Sequence, residues 1–304
     1  MPRVNQWNSF PRYRALTFPL SLFLLLAFLP SCDFFAVKPL SPRFHWLYDN
    51  LYDNNNTFVS EFAITKITRS IYLLKTSIRY ADEGQEKTKI LYGRAVALKN
   101  KKEYLLLTVN HVVSINGISY RDYFGTYFKP VQIIEENTSV FLNNGFIAVE
   151  KLIGNEKVDL ALFKVPQEIC LKGFPYPVGD SDDLQPGDHV TLFGNPFLMG
   201  ISPKHGSVIR TSVPESILKG FYPDVLNPAH KGQEDENYFL VDIPLDKGDS
   251  GGPIIAYRDT CPELVGLVQK RIPRLSDIGW GIKINYAIEI LEKNSGLDLR
   301  KRHS

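Results

Sequence analysis

From residue 60 onward the chain is a succession of short apolar runs, each of strand length and rich in β-branched or aromatic residues. They are Ser70–Ile78, Arg94–Leu98, Tyr104–Val109, Thr138–Leu142, Phe146–Leu152, Leu160–Val165, His189–Phe193, Ser207–Thr211, Phe239–Ile243, Pro253–Tyr257, Leu264–Gln269 and Trp280–Ile284. Turn residues such as Gln185-Pro186-Gly187 separate them. Asn143-Asn144-Gly145 between two alternating runs predicts a tight hairpin. A helical period stands out near the C-terminus alone, and predicts a helix over Tyr286–Lys293 with Asn285 as its cap and Gly296 beyond its end. Many strands and one terminal helix predict an all-β chain, built as a sandwich or as a pair of barrels.

The N-terminus has a different pattern. Arg3, Arg12 and Arg14 precede an uncharged stretch from Ala15 to Leu29, followed by Pro30-Ser31-Cys32. The run is shorter than the ~20 residues that span a bilayer as a helix, and positive charge followed by an apolar segment is the order of an export signal. Ser31-Cys32 resembles the lipobox of bacterial lipoproteins, whose Cys is lipidated and becomes the mature N-terminus; Pro30 departs from the small or β-branched residue usual there. The alternative is an uncleaved signal anchor. Both put the body outside a membrane, in a bacterial cell envelope. Residues 1–31 are therefore assigned to a signal peptide. Residues 32–60, rich in Pro, Asn and aromatics, are assigned to a tether in which Trp46, Leu47 and Tyr48 pack on the body. The folded domain takes 61–293 and a tail 294–304.

Composition narrows the partners. The 304 residues carry 35 Lys+Arg against 33 Asp+Glu. Residues 1–31 take three of the basic residues and none of the acidic ones, so the remainder is nearly neutral and no nucleic-acid partner is expected. Three cysteines, with no C-x-x-C pair, exclude a disulfide-framed mini-domain and a zinc ribbon. Cys170 and Cys261 are candidates either for a disulfide or for free buried thiols. Six histidines, none in H-E-x-x-H, give no metal site, and no cofactor is expected.

Three stretches carry chemistry: Thr108-Val109-Asn110-His111-Val112-Val113, Val158-Asp159-Leu160-Ala161-Leu162 and Lys247-Gly248-Asp249-Ser250-Gly251-Gly252-Pro253. Singly, a strand-end His is commonly structural and an Asp before an apolar strand is commonly a turn residue. Together they are complementary. Gly248 can adopt backbone conformations closed to other residues, so the amides of Gly248 and Ser250 can converge on one oxyanion. A hydroxyl in such a turn needs a base, and a neutral imidazole suits that role at pH 7. The base needs a carboxylate behind it to fix its tautomer. His111 and Asp159 fall in one half of the domain and Ser250 in the other, the layout of a site built across two lobes.

On these motifs the chain resembles a trypsin-like (chymotrypsin-fold) serine protease, and more narrowly the HtrA/Deg group. Gly179-Asp180-Ser181-Asp182-Asp183-Leu184-Gln185-Pro186-Gly187-Asp188, Phe193-Gly194-Asn195-Pro196-Phe197 and Gly206-Ser207-Val208-Ile209 are similar to that group's runs in order and spacing. So is Gly279-Trp280-Gly281-Ile282 followed by Asn285-Tyr286-Ala287-Ile288. The likeness spans about Ile64 to Leu291. It implies two six-stranded antiparallel β-barrels with a C-terminal helix, lobe one about 61–170 and lobe two about 171–285. It implies a serine endopeptidase acting on polypeptides, unfolded or misfolded ones, as in protein quality control, with His111, Asp159 and Ser250 catalytic. It places Pro244, six residues before Ser250, at the base of the specificity pocket, which implies a small or apolar guest. Lys283, near the pocket wall, is the candidate for selecting an acidic guest, or else a solvated strand-end residue. The departures are Leu198 for a Gly, Asp249 where the group carries Asn, about twenty extra residues near Asn116–Glu136, a loop over Val213–Asn237 and no room for a PDZ domain after Leu291. Oligomeric state stays open. A catalytically silent protease-fold lipoprotein that binds chain segments, chaperone-like, is the competing function, with an adhesion scaffold behind it.

Overall fold

A computed structural model describes residue 52 and residues 60–101, 103–115, 117–122, 125–214, 235–272 and 275–299. Residues 1–31, assigned above to a signal peptide, Cys32 and the aromatic trio Trp46, Leu47 and Tyr48 lie outside them, as does most of the Val213–Asn237 loop. Among the described residues no helix is long and apolar enough to cross a membrane.

The first element is a helix absent from the sequence reading, α1 (Glu61–Thr68), started by Ser60, whose hydroxyl oxygen accepts from the Ala63 amide at 3.2 Å. Its fully buried Ile67 anchors it to the core. Strands β1 (Ile71–Asp82), β2 (Gln85–Asn100), β3 (Glu103–Thr108), β6 (Gln132–Leu142), β7 (Gly145–Ala148), β8 (Glu150–Asn155) and β9 (Leu160–Lys164) make one antiparallel sheet, in the order β7-β6-β1-β2-β3-β9-β8. Between β3 and β6, the extra residues form a separate hairpin, β4 (Gly117–Asp122) with β5 (Gly125–Pro130).

This is a curled sheet rather than the closed six-stranded barrel expected of the first lobe. The run Phe146–Leu152, read as one strand, is interrupted at Val149, whose amide donates to the Thr138 carbonyl at 3.1 Å. β7 and β8 on either side of that residue are the sheet's two opposite edges. The edges are thus joined through the chain itself, without a ladder between them. The Asn-Asn-Gly hairpin is as expected: Asn143 and Asn144 both adopt positive φ, 47° and 65°, between the paired Leu142 and Gly145.

The second lobe is a closed barrel of β10 (His189–Gly194), β11 (Ser202–Arg210), β12 (Tyr238–Val241), β15 (Leu275–Lys283), β14 (Cys261–Ile272) and β13 (Pro253–Arg258), in that order. Its interior is built by alternation. Val190, Leu192, Phe239, Val241, Ile254 and Ala256 form one buried cluster. Their sequence neighbours Phe193, Leu240 and Ile255 join the core that runs through the curled sheet. The terminal helix α2 (Ile284–Ser295) closes that core with Ile284, Ala287, Ile288 and Leu291, and ends at Gly296 in the left-handed conformation, φ 69°. Asn285 is not its cap. Lys283 holds that position, and the Asn285 side chain instead donates to Asp180 at 2.6 Å and Asp182 at 2.7 Å. Cys170 and Cys261 are free and exposed, so they are neither a disulfide nor buried thiols.

The segment read as a tether contributes two described residues, the α1 cap Ser60 and Tyr52, which is 4% exposed. Its ring belongs to the barrel cluster and lies 4.3 Å beneath the Arg258 guanidinium. Its hydroxyl donates to Glu263 at 2.9 Å, and burial followed by the Glu263 charge raises its pKa. Removing the ring in Tyr52→Ala should cost roughly 3–5 kcal/mol, the range for a large buried side chain. Tyr52→Phe keeps the ring and should cost only about 1 kcal/mol. Chemical denaturation of the two variants checks the difference.

Candidate active site

β3 ends at Thr108, and the chain turns through a short 3₁₀ segment, Asn110–Val112, that carries His111. Val112 drops onto β2 where Gly93 leaves space; a Cβ at Gly93 would overlap the Val112 side chain. Asp159 precedes β9 in the left-handed conformation, φ 57°, and is 7% exposed. That conformation is uncommon for a residue with a side chain and marks a constrained position. The constraint is visible in its contacts. Asp159 Oδ2 lies 2.8 Å from His111 Nδ1, and Oδ1 accepts from the His111 backbone amide at 2.7 Å. One carboxylate thus fixes both the ring and the backbone of His111. A proton on Nδ1 is the arrangement that satisfies the carboxylate, which leaves Nε2 as the basic nitrogen. The His111 side chain is 35% exposed, open to a reactant.

Ser250 comes from the other lobe, in the turn between β12 and β13. That turn docks on the curled sheet. The Arg94 amide of β2 donates to the Ser250 carbonyl at 3.0 Å. Gly251 has φ 82°, and a Cβ there would overlap the Arg94 carbonyl and the Thr108 hydroxyl. Thr108, three residues before His111, fixes the same carbonyl through its hydroxyl at 2.5 Å. On the barrel side the Gly251 amide donates to Val268 at 2.9 Å, and the Val268 amide donates to Gly252 at 2.8 Å. The structure therefore brings His111 and Asp159 into hydrogen bonding and sets the Ser250 turn against the strand end that leads to His111. The Ser250 hydroxyl itself donates to the Gln269 carbonyl at 3.3 Å, and among the described residues it has no hydrogen bond to His111. A change of χ1 redirects a serine hydroxyl among three staggered positions.

The amides around Ser250 divide into two sets. Those of Asp249, Gly251 and Gly252 donate to Asp246, Val268 and Asp249. Those of Gly248 and Ser250 have no acceptor among the described residues. Gly248 has φ 102°, and a Cβ there would overlap the Asn195 carbonyl. The Lys247 carbonyl accepts from the Phe197 amide at 2.8 Å. Since C=O and N–H point oppositely across a trans peptide, this bond turns the Gly248 N–H away from the Phe197 loop. That loop is strained and apolar. Phe197 and Leu198 both have positive φ, and Phe197, Leu198 and Met199 are exposed.

The remaining sequence candidates have plain positions. Pro244 is exposed, and its carbonyl accepts from Lys204 at 3.1 Å. Lys283 is 7% exposed, with its ammonium 3.3 Å from Asp182, so it is not a solvated strand-end residue. Sequence reasoning missed Arg94, Thr108 and Lys204, none of which carries a local signal. Burial lowers the Arg94 pKa to about 10, against the opposing charge of Asp249. Lys204 pays for desolvation too, but its bonds to Asp249 and then Asp246 leave its pKa raised.

A family model described as a trypsin-like peptidase domain matches residues 93–267. The chain belongs to the trypsin-like peptidase family. It is similar to the serine protease Do-like HtrA of Bacillus subtilis (strain 168), with 26% identity over 218 residues, 70% of this chain and 41% of that protein. It is also similar to a Rickettsia conorii protein named "Probable periplasmic serine endoprotease DegP-like", with 29% identity over 179 residues, 56% of this chain and 33% of that protein. The chain thus spans less than half the length of these relatives. Among solved structures, the HtrA-type protease AlgW with decapeptide aligns at a TM-score of 0.50 and 19% identity, over 76% of this chain and 66% of that one, a likeness of fold.

Gly251 packs directly on the backbone of the curled sheet. Gly251→Ala combines a forbidden φ with a backbone clash, and should destabilise by at least about 2 kcal/mol; thermal unfolding of the purified variant measures it.

Proposed function

We propose that the chain is an HtrA-type serine endopeptidase of the bacterial cell envelope, in which His111, Asp159 and Ser250 cut peptide bonds. The observation that carries this reading is the two-point grip of Asp159 on His111, opposite a serine turn with two unengaged amides. The Ser250 Oγ attacks the peptide carbonyl as its proton passes to His111 Nε2. The amides of Gly248 and Ser250 receive the oxyanion, an effect worth roughly 3–4 kcal/mol per donor. Collapse of the tetrahedral adduct breaks the C–N bond, and His111 returns the proton to the leaving amine. Water then attacks the acyl-enzyme by the same route, giving back the Ser250 hydroxyl and the free acid. Asp159 stays ionised throughout and stabilises the imidazolium.

Substrates are polypeptides, unfolded or misfolded ones, bound extended across the junction of a lobe over about 61–170 and a second over about 171–285. With Pro244 below the pocket and the Lys283 ammonium engaged by Asp182, a small or apolar side chain is the preferred guest beside the cut. The periplasmic description of the Rickettsia relative supports export. Residues 1–31 act as the signal and Cys32 carries the lipid that holds the body to the membrane.

Purified protein should be labelled at Ser250 by a fluorophosphonate, with and without a denatured protein present, and should cleave that protein after small or apolar residues, as read by mass spectrometry of the products. Asp159→Asn should lower kcat by about 10⁴, the loss that follows a wrong imidazole tautomer in such sites. Absence of both labelling and cleavage under either condition would leave the silent binding module as the better account. For the anchor, Cys32→Ala should move the protein from the detergent phase to the aqueous phase; retention would count against lipidation.

A further inference from the structure

Asp249, directly before Ser250, has no exposed surface. An ionised carboxylate removed from water in this way needs a compensating charge. Lys204 supplies it from β11, forty-five residues away in sequence, with its ammonium 2.7 Å from Asp249 Oδ2. The same ammonium donates to Asp246 Oδ2 at 3.0 Å and to the Pro244 carbonyl at 3.1 Å. Asp249 in turn holds the backbone of the turn: Oδ2 accepts from the Asp246 amide at 2.8 Å, and the Asp249 amide donates to the Asp246 carbonyl at 3.2 Å. One ammonium and one carboxylate thus tie together residues 244, 246 and 249.

The barrel is shaped to hold this pair. Lys204 is fixed in the β10–β11 ladder opposite Leu192. At Gly194 a Cβ would overlap the Asp249 carboxyl group, so the glycine makes room for that side chain. The pair also lies beside the two amides without acceptors, since Asp249 is the residue between Gly248 and Ser250. With its side chain drawn inward by Lys204 and its amide drawn to Asp246, the backbone on either side of Asp249 has little freedom. Arg94, the other buried cation near Asp249, makes no hydrogen bond to it among the described residues: Arg94 Nε and Asp249 Oδ1 both lack a partner there.

We propose that Lys204 is a positioning residue that assembles the oxyanion turn, by pinning the buried Asp249 carboxylate so that the Gly248 and Ser250 amides face one point. This rests on the endopeptidase reading for its effect on rate. Its effect on the turn stands apart from that reading. Lys204 touches no reacting atom; it acts through Asp249.

The test uses the full chain and three variants, Lys204→Met, Lys204→Gln and Lys204→Met/Asp249→Asn, with kcat and KM on a peptide substrate and amide hydrogen exchange over residues 244–252. Lys204→Met should lower kcat by about 10²–10³, the loss seen when an oxyanion donor is misplaced, while KM changes less than about threefold. Exchange at residues 246–251 should quicken. Adding Asp249→Asn removes the stranded charge and should recover at least about tenfold of the lost kcat and restore slow exchange, which a loss of general stability would not do. Lys204→Gln retains an uncharged N–H donor group, so it keeps Asp249 bonded even if the Met variant fails to fold, and should lose about tenfold in kcat. Wild-type kcat in a folded Lys204→Gln or Lys204→Met variant would overturn the inference, as would a loss that Asp249→Asn does not relieve. If the wild-type chain neither cleaves nor labels, the endopeptidase reading fails on its own account. Unchanged exchange over 246–251 in Lys204→Met would then still overturn the positioning role.

Discussion

The approach of two backbones, with no side chain between them, determines where the site can be. Gly251 lies so close to the Arg94 carbonyl and the Thr108 hydroxyl that no larger residue fits. The Arg94 amide meanwhile bonds the Ser250 carbonyl. A contact this tight between two separately hydrogen-bonded sheets transmits position in both directions. The curled sheet fixes Thr108, hence the strand end from which His111 turns, and the barrel fixes Val268, hence the Ser250 turn. The barrel has a buried cluster of its own, a second cluster runs through both the curled sheet and the barrel, and the proposed site draws on both lobes. This explains why the first lobe tolerates departure from a closed barrel. β7 and β8 form its edges, whereas β2 and β3, which carry Arg94 and Thr108, and β9, which Asp159 directly precedes, are interior strands paired on both sides, with Leu105, Leu106, Leu107 and Leu162 fully buried.

What the sequence could reveal follows from the range of the interactions involved. Alternation of apolar residues is a local property, so the barrel strands were legible, as was the hairpin at Asn143 and Asn144, where the turn type demands residues that accept positive φ. The helix α1 escaped because eight residues give barely two turns, too few for a period to stand out, although Ser60 was available as its start signal. The bend at Val149 escaped because it rests on one hydrogen bond to Thr138, and nothing in Phe146–Leu152 itself breaks the strand pattern. Asn285 was misread for a related reason. A residue with a good capping side chain stands two residues after the actual cap, inside the first turn, where two aspartates a hundred residues upstream are its partners.

The site shows the same division. The glycines around Ser250, the apolar strand after Asp159 and the strand before His111 are each written in a few consecutive letters. Lys204 is not, because its role depends on a strand register and on a carboxylate whose burial no linear pattern announces. The one available hint was a substitution: Asp249 stands where the resembling group carries Asn. An amide needs no counter-charge when buried, and a carboxylate does, so that single departure already required a cation somewhere within reach.

Two carboxylates flank the proposed reacting centre and are held differently, which bears on how such a site would work. Asp159 accepts from the backbone amide of His111 and lies against its ring nitrogen. In the proposed mechanism its negative charge would stabilise the imidazolium when that ring takes up a proton. Asp249 is neutralised in place by Lys204, so its charge is spent on geometry and projects little field toward the oxyanion that the neighbouring amides would receive. An uncompensated carboxylate at that position would oppose developing negative charge only one residue away. On that proposal the ammonium of Lys204 would serve both the geometry and the electrostatics of the turn with one ion pair.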